Sequence, residues 1–104
     1  MSRKIYIAGP MTGYKDFHRP AFKAFALKLS LDGNLGRNPA VLPDGLEQRE
    51  YMDICCAMLR CADAIFMLRG WESSDGAIAE HALARKIGLE IITECQELAQ
   101  GAKP

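Results

Sequence analysis

The run DAIFML, residues 63–68, constrains the fold of this 104-residue chain more than any other stretch. Its consecutive apolar side chains leave no polar face, so a strand built from them must be covered on both sides. The rest of the chain has the elements to do so. KIYIAG, residues 4–9, is another β-branched and aromatic run, closed by Gly-Pro, and reads as a buried strand followed by a turn. Over residues 17–31, Phe22, Phe25, Ala26 and Leu29 recur at helical spacing until DGN stops them. NPAVLP, with proline at both ends, has room for only a short second strand. A helix follows over residues 46–60, with Asp44 and Glu47 at capping-box spacing and an apolar stripe of Ile54, Met58 and Cys61. The spacing predicts another helix over residues 76–87, ended by Gly88, then a strand at LEIIT and a short helical tail in CQELAQGAKP.

Strand and helix alternate throughout, which implies right-handed crossovers and parallel pairing. The expectation is one α/β domain over residues 1–104: a doubly wound, mostly parallel sheet of four to five strands with helices on both faces. In such a sheet ligands bind beyond the carboxyl ends of the strands. Loops 9–16 and 69–75 and the region near Asp44 converge there.

Composition removes several functional classes. Thirteen basic residues balance thirteen acidic ones, so no overall field draws polymeric nucleic acid or an anionic membrane. The apolar runs fall short of the ~20 residues of a membrane span, and the N-terminal run is too short for a secretory signal. Cys55, Cys56, Cys61 and Cys95 form no C-x-x-C pair, and His18 and His81 lie far from the cysteine cluster in sequence, so no metal site is expected. Cys55, Cys56 and Cys61 read as small apolar residues on a buried helix face, and reduced thiols fit a cytoplasmic location.

The candidate chemistry sits on the loops. Glu80 lies about one turn into an alanine-lined helix, where the helix dipole favours a carboxylate by ~0.3–1 kcal/mol and keeps it ionised. That suits a nucleophile or a cation stabiliser, although a solvated first-turn glutamate has the same signature. In SSDG, Ser73, Ser74 and Asp75 are all N-cap types, and Gly76 bares the first amides; the pattern serves as a phosphate seat or as plain capping. Gly9, Pro10, Met11, Thr12 and Gly13 form a first loop that resembles neither a dinucleotide fingerprint nor a P-loop. Asp63 opens a strand, and so stands at the wrong end of the sheet for a site, as a cap or turn residue does. Trp71 either stacks on a base or sugar or covers the edge of the core.

Together these segments resemble the nucleoside 2-deoxyribosyltransferase family, in particular a small bacterial and phage branch, and are similar to the 2′-deoxynucleoside 5′-phosphate N-hydrolases. IYIAGPMTG, CADAIFML and SSDGAIAEHALARKIGLEI carry the resemblance, which spans most of the chain. It implies a flavodoxin-like fold and cleavage or transfer at the N-glycosidic bond of a deoxynucleoside or its monophosphate. Under it Glu80 is the nucleophile, Tyr6 orients it or the sugar, and Asp63 or Asp75 positions a hydroxyl or protonates the leaving base. Gly9 to Gly13, Trp71, Ser74 and Gly76 bind substrate, no metal or organic cofactor is needed, and a homodimer or larger assembly completes the site. Thr12 stands where the hydrolases carry arginine, and Arg69 is a candidate replacement for that charge. The alternative on the same scaffold is a nucleotide-binding module without turnover.

Overall fold

A computed structural model describes residues 3–94. Four strands, β1 (Lys4–Ala8), β2 (Leu35–Arg37), β3 (Ala64–Met67) and β4 (Glu90–Thr93), alternate with three helices, α1 (Arg19–Leu31), α2 (Gln48–Arg60) and α3 (Asp75–Ile87). All three strand pairings are parallel, in the order β2-β1-β3-β4, with Tyr6 opposite Ile65 and Ile65 opposite Ile91. The expected α/β class and parallel sheet are therefore present, with four strands in the sheet. The expected helix over residues 95–104, and Cys95 with it, lies outside the described residues.

Side-chain alternation along β1 and β3 builds two separate cores. Ile5, Ile7, Ala64 and Phe66 join Phe22 and Leu29 of α1 on one face. Tyr6, Ala8, Ile65 and Met67 join Cys55 and Leu59 of α2 and Ala77 and Ala84 of α3 on the other. Every residue of β3 is buried, as its unbroken apolar run requires. Among the described residues no helix is long and apolar enough to cross a membrane.

Three boundaries differ from the sequence expectation. The second strand is not NPAVLP but the three residues before it. Leu35 donates its amide to Arg3 O at 2.8 Å, whereas Pro39 has no amide to give a ladder. Asn38 Oδ1 instead accepts the Ala40 amide at 2.8 Å, and Pro39–Val41 coil into a 3-10 turn. Helix α1 starts at Arg19 because Asp16, Phe17 and His18 hold left-handed backbone, φ 52°, 52° and 65°. Helix α2 is capped three residues later than expected, with Glu50 Oε1 accepting the Glu47 amide at 2.7 Å. Its buried residues are Cys55 and Leu59; Ile54 and Cys61 face outward and Cys56 is half-buried, so the expected stripe is shifted by about one position.

The chain leaves β1 toward β2 on one side and returns to β3 on the other. The carboxyl ends of β1 and β3 thus flank a topological switch point, where open parallel sheets form their crevice. Gly9 follows β1 there, and a Cβ on it would lie 2.7 Å from Leu68 Cβ, so only glycine lets the two strand ends close up.

Candidate active site

Glu80 reaches the switch point because of helical spacing. Ala77, Glu80 and Ala84 are the buried residues of α3, three and four apart, and form one stripe against the sheet. Ser74 caps the helix, its hydroxyl accepting the Ala77 amide at 3.2 Å, and Gly88 ends it in left-handed backbone at φ 83°. The alanines on either side keep α3 close to the strands, so the longer glutamate between them is pressed into the core. It is 6 % exposed, and it is the buried charged residue among the described ones.

Its partner is Tyr6, fully buried at the centre of β1, whose hydroxyl donates a hydrogen bond to Glu80 Oε2. Burial pushes the Glu80 carboxyl up to about 7, while the bond from Tyr6 pulls it partly back. This corrects the expectation of a glutamate held charged by the helix dipole. Glu80 is the sixth residue of α3, past the free amides of the first turn, and desolvation dominates. Burial, and then the neighbouring Glu80 charge, push the Tyr6 phenol far above its ordinary range, so it stays protonated and donates. Cys55, packed in the same core layer, has its thiol pushed up, chiefly by burial.

These groups line a cavity of about 590 Å³. That is within the ~300–1,000 Å³ of small-molecule sites. From the expected set, the cavity wall includes Tyr6, Gly9, Pro10, Met11, Thr12, Ser74, Asp75, Gly76 and Glu80. Gly13, Trp71 and Asp63 are not part of it. Asp63 sits at the amino end of β3, where Oδ2 accepts the Lys4 amide at 2.9 Å and stitches β3 to β1. A catalytic role for it is thereby set aside, since the strand length separates it from the switch point. Trp71 stacks on His81 with ring centres 4.5 Å apart and covers the core edge, the plainer of its two expectations. Arg69 is also absent from the wall; its amide donates to Glu94 Oε1 at 2.8 Å.

The sequence expectation missed a whole side of the cavity. Gln48, Tyr51, Met52 and Cys55 line it from one face of α2. Their three-, four- and seven-residue offsets are a helical stripe, legible in the sequence once α2 is known to start beyond a strand's carboxyl end. Tyr51 also donates its hydroxyl to Pro43 O at 2.6 Å, fixing the loop that carries Asp44. At the mouth Arg19 bonds Asp16 Oδ1 at 3.1 Å and Asp44 Oδ1, and both carboxylates raise the guanidinium pKa. The Arg19–Asp44 ion pair joins the start of α1 to a loop far away in sequence, which no local pattern discloses.

Residues 3–93 match the family described as a domain of unknown function, DUF4406, and the chain belongs to that family. No curated protein matches the chain. Among solved structures it is similar to a 2-desoxiribosyltransferase from Leishmania mexicana, with TM-score 0.71 and 21 % identity over 88 % of this chain. The chain spans 63 % of the length of that protein. At this identity the likeness is one of fold: the chain has the deoxyribosyltransferase fold that its motifs led one to expect.

Proposed function

We propose that the protein breaks the N-glycosidic bond of a 2′-deoxynucleoside or its 5′-monophosphate and passes the sugar to a second base or to water. The observation that carries this reading is Glu80, a buried carboxylate on a cavity wall, which forms no ion pair among the described residues and is held by a tyrosine hydroxyl. A glutamate with a purely structural role gains more from an ion pair or from solvent than from this position. Burial of an acid beside an open cavity is instead what nucleophilic chemistry needs. The likeness of fold to a deoxyribosyltransferase supports the same choice.

Tyr6 engages Oε2, which leaves Oε1 of Glu80 to attack C1′ of the sugar. As the C1′–O bond forms, the C1′–N bond breaks and its electron pair leaves with the base, which takes up a proton. The oxocarbenium-like transition state places positive charge beside the carboxylate. An incoming base or water then attacks C1′ from the vacated side, loses its proton and releases Glu80, so configuration is retained over the two steps. Asp75, on the wall at the first turn of α3, positions a sugar hydroxyl or delivers the proton to the leaving base. Met11, Met52 and Tyr51 offer apolar and aromatic surface to the base. A homodimer is part of the same proposal, and the protein's mass in solution measures it.

The test is to incubate the protein with deoxynucleosides and their monophosphates, with and without a second base, and to follow free base by chromatography. Base release by the wild type and its loss in Glu80→Gln, with ligand binding kept, is the expected result. Ligand binding without base release by the wild type leaves a nucleotide-binding module.

A further inference from the structure

We infer that the cavity selects the uncharged 2′-deoxynucleoside and discriminates against its 5′-monophosphate; this rests on the glycosidic reading above and narrows its substrate class. Among the described residues the charged side chains on the wall are Arg19, Asp44, Asp75 and Glu80, one cation against three carboxyl groups. A nucleoside 5′-monophosphate brings about −1.5 to −2 further charge at neutral pH. A cavity with low-dielectric walls amplifies that repulsion.

Arg19, the cation among these described residues, is already engaged. It donates from Nη1 to Asp16 at 3.1 Å and from Nη2 to Asp44, so its charge is matched before any ligand arrives. A phosphate at the remaining guanidinium N–H groups would stand beside two carboxylates that repel it. The helix terminus is a poor substitute, because it already carries a carboxylate. The Ser74 hydroxyl oxygen accepts the Ala77 amide, the Ile78 amide donates to Ser74 O, and the Asp75 carboxylate occupies the first turn, so a phosphate at the remaining first-turn amides would meet a like charge. Hydroxyl groups meet the opposite situation. Asp44 and Asp75 are acceptors on the wall, and a deoxyribose with both hydroxyls free can donate to them.

The experiment has a turnover arm and a binding arm. Turnover compares kcat/KM for thymidine, deoxyadenosine, deoxyguanosine and deoxycytidine with that for their 5′-monophosphates, in low and high salt. Binding compares the same pairs by calorimetry on Glu80→Gln, which removes the proposed nucleophile. The nucleoside is expected to be preferred by roughly tenfold or more. Added salt should raise monophosphate use selectively. Asp16→Asn with Asp44→Asn, which frees Arg19, should shrink the gap. Equal or better use of monophosphates by the wild type overturns the inference while leaving the glycosidase standing, and a gap unmoved by the double variant overturns its cause. No base release with the binding preference intact overturns the activity and keeps the selectivity. No binding of either ligand at millimolar concentration overturns both.

Discussion

The two faces of the sheet come from alternate residues of the same strands, yet they are built for different ends. Toward α1, Ile5, Ile7 and Phe66 meet Phe22 and Leu29 in an apolar layer. Toward α2 and α3, the neighbours Tyr6 and Ala8 meet a thiol at Cys55 and a carboxyl at Glu80. The first layer gains ~1.5–3 kcal/mol per large side chain buried. The second gives part of that back, because it keeps an acid out of water. One face therefore carries stability and the other a buried carboxyl group on a cavity wall, a division that follows from a strand's two-residue period.

The largest expected effect separates the faces most sharply. Glu80→Gln should lower base release by about 10³-fold or more, since no neighbour can replace a nucleophile. The same variant should unfold at a higher temperature at pH 8. A variant that loses activity and also melts earlier at pH 8 would break the comparison. Phe66→Ala, on the apolar face, should cost about 3–5 kcal/mol in urea unfolding, through the cavity left beside Phe25, whose ring centre lies 5.1 Å away. Its KM, measured on folded protein, should stay at the wild-type value; a changed KM would mean that the faces are coupled.

The pH dependence is intermediate in size. Glu80 binds its proton more tightly folded than unfolded, so its contribution to stability is fully present below about pH 4.5 and is lost as pH rises to about 7. The loss is about 3 kcal/mol and should be absent from Glu80→Gln. Activity should run the other way, rising through about pH 7 as the attacking form appears. Tyr6→Phe keeps the buried ring and removes the donor to Glu80 Oε2. Its activity limb should move to higher pH, because the ionised carboxylate loses the hydrogen bond that favours it. The smallest effect is Ser74→Ala, which should cost ~0.5–2 kcal/mol of stability by uncapping α3.

Much of this was legible in the sequence, and the misses have definite causes. DAIFML had to be a central strand, and Ala77, Glu80 and Ala84 already lay three and four apart. Glu80 was singled out and lies buried on the cavity wall, but its proton affinity was misjudged: a sequence gives distance from a helix start and says nothing of desolvation. NPAVLP looked like a strand by its apolar content, but Pro39 has no amide for a ladder, and the strand lies wholly before this segment. Asp63 drew attention by resemblance, although its place at the start of a strand already argued against it. Arg19 was passed over because nothing local ties residue 19 to residue 44.

Amino-acid order alone was enough for the alternation of elements, the parallel sheet and the edge at which the cavity lies, because periodicity and turn chemistry act over a few neighbours. The proton affinity of Glu80, the clasp of Arg19 by two carboxylates and the wall supplied by α2 needed the folded chain. Each depends on groups that only folding brings within a few ångströms, and electrostatics and desolvation are set at that range.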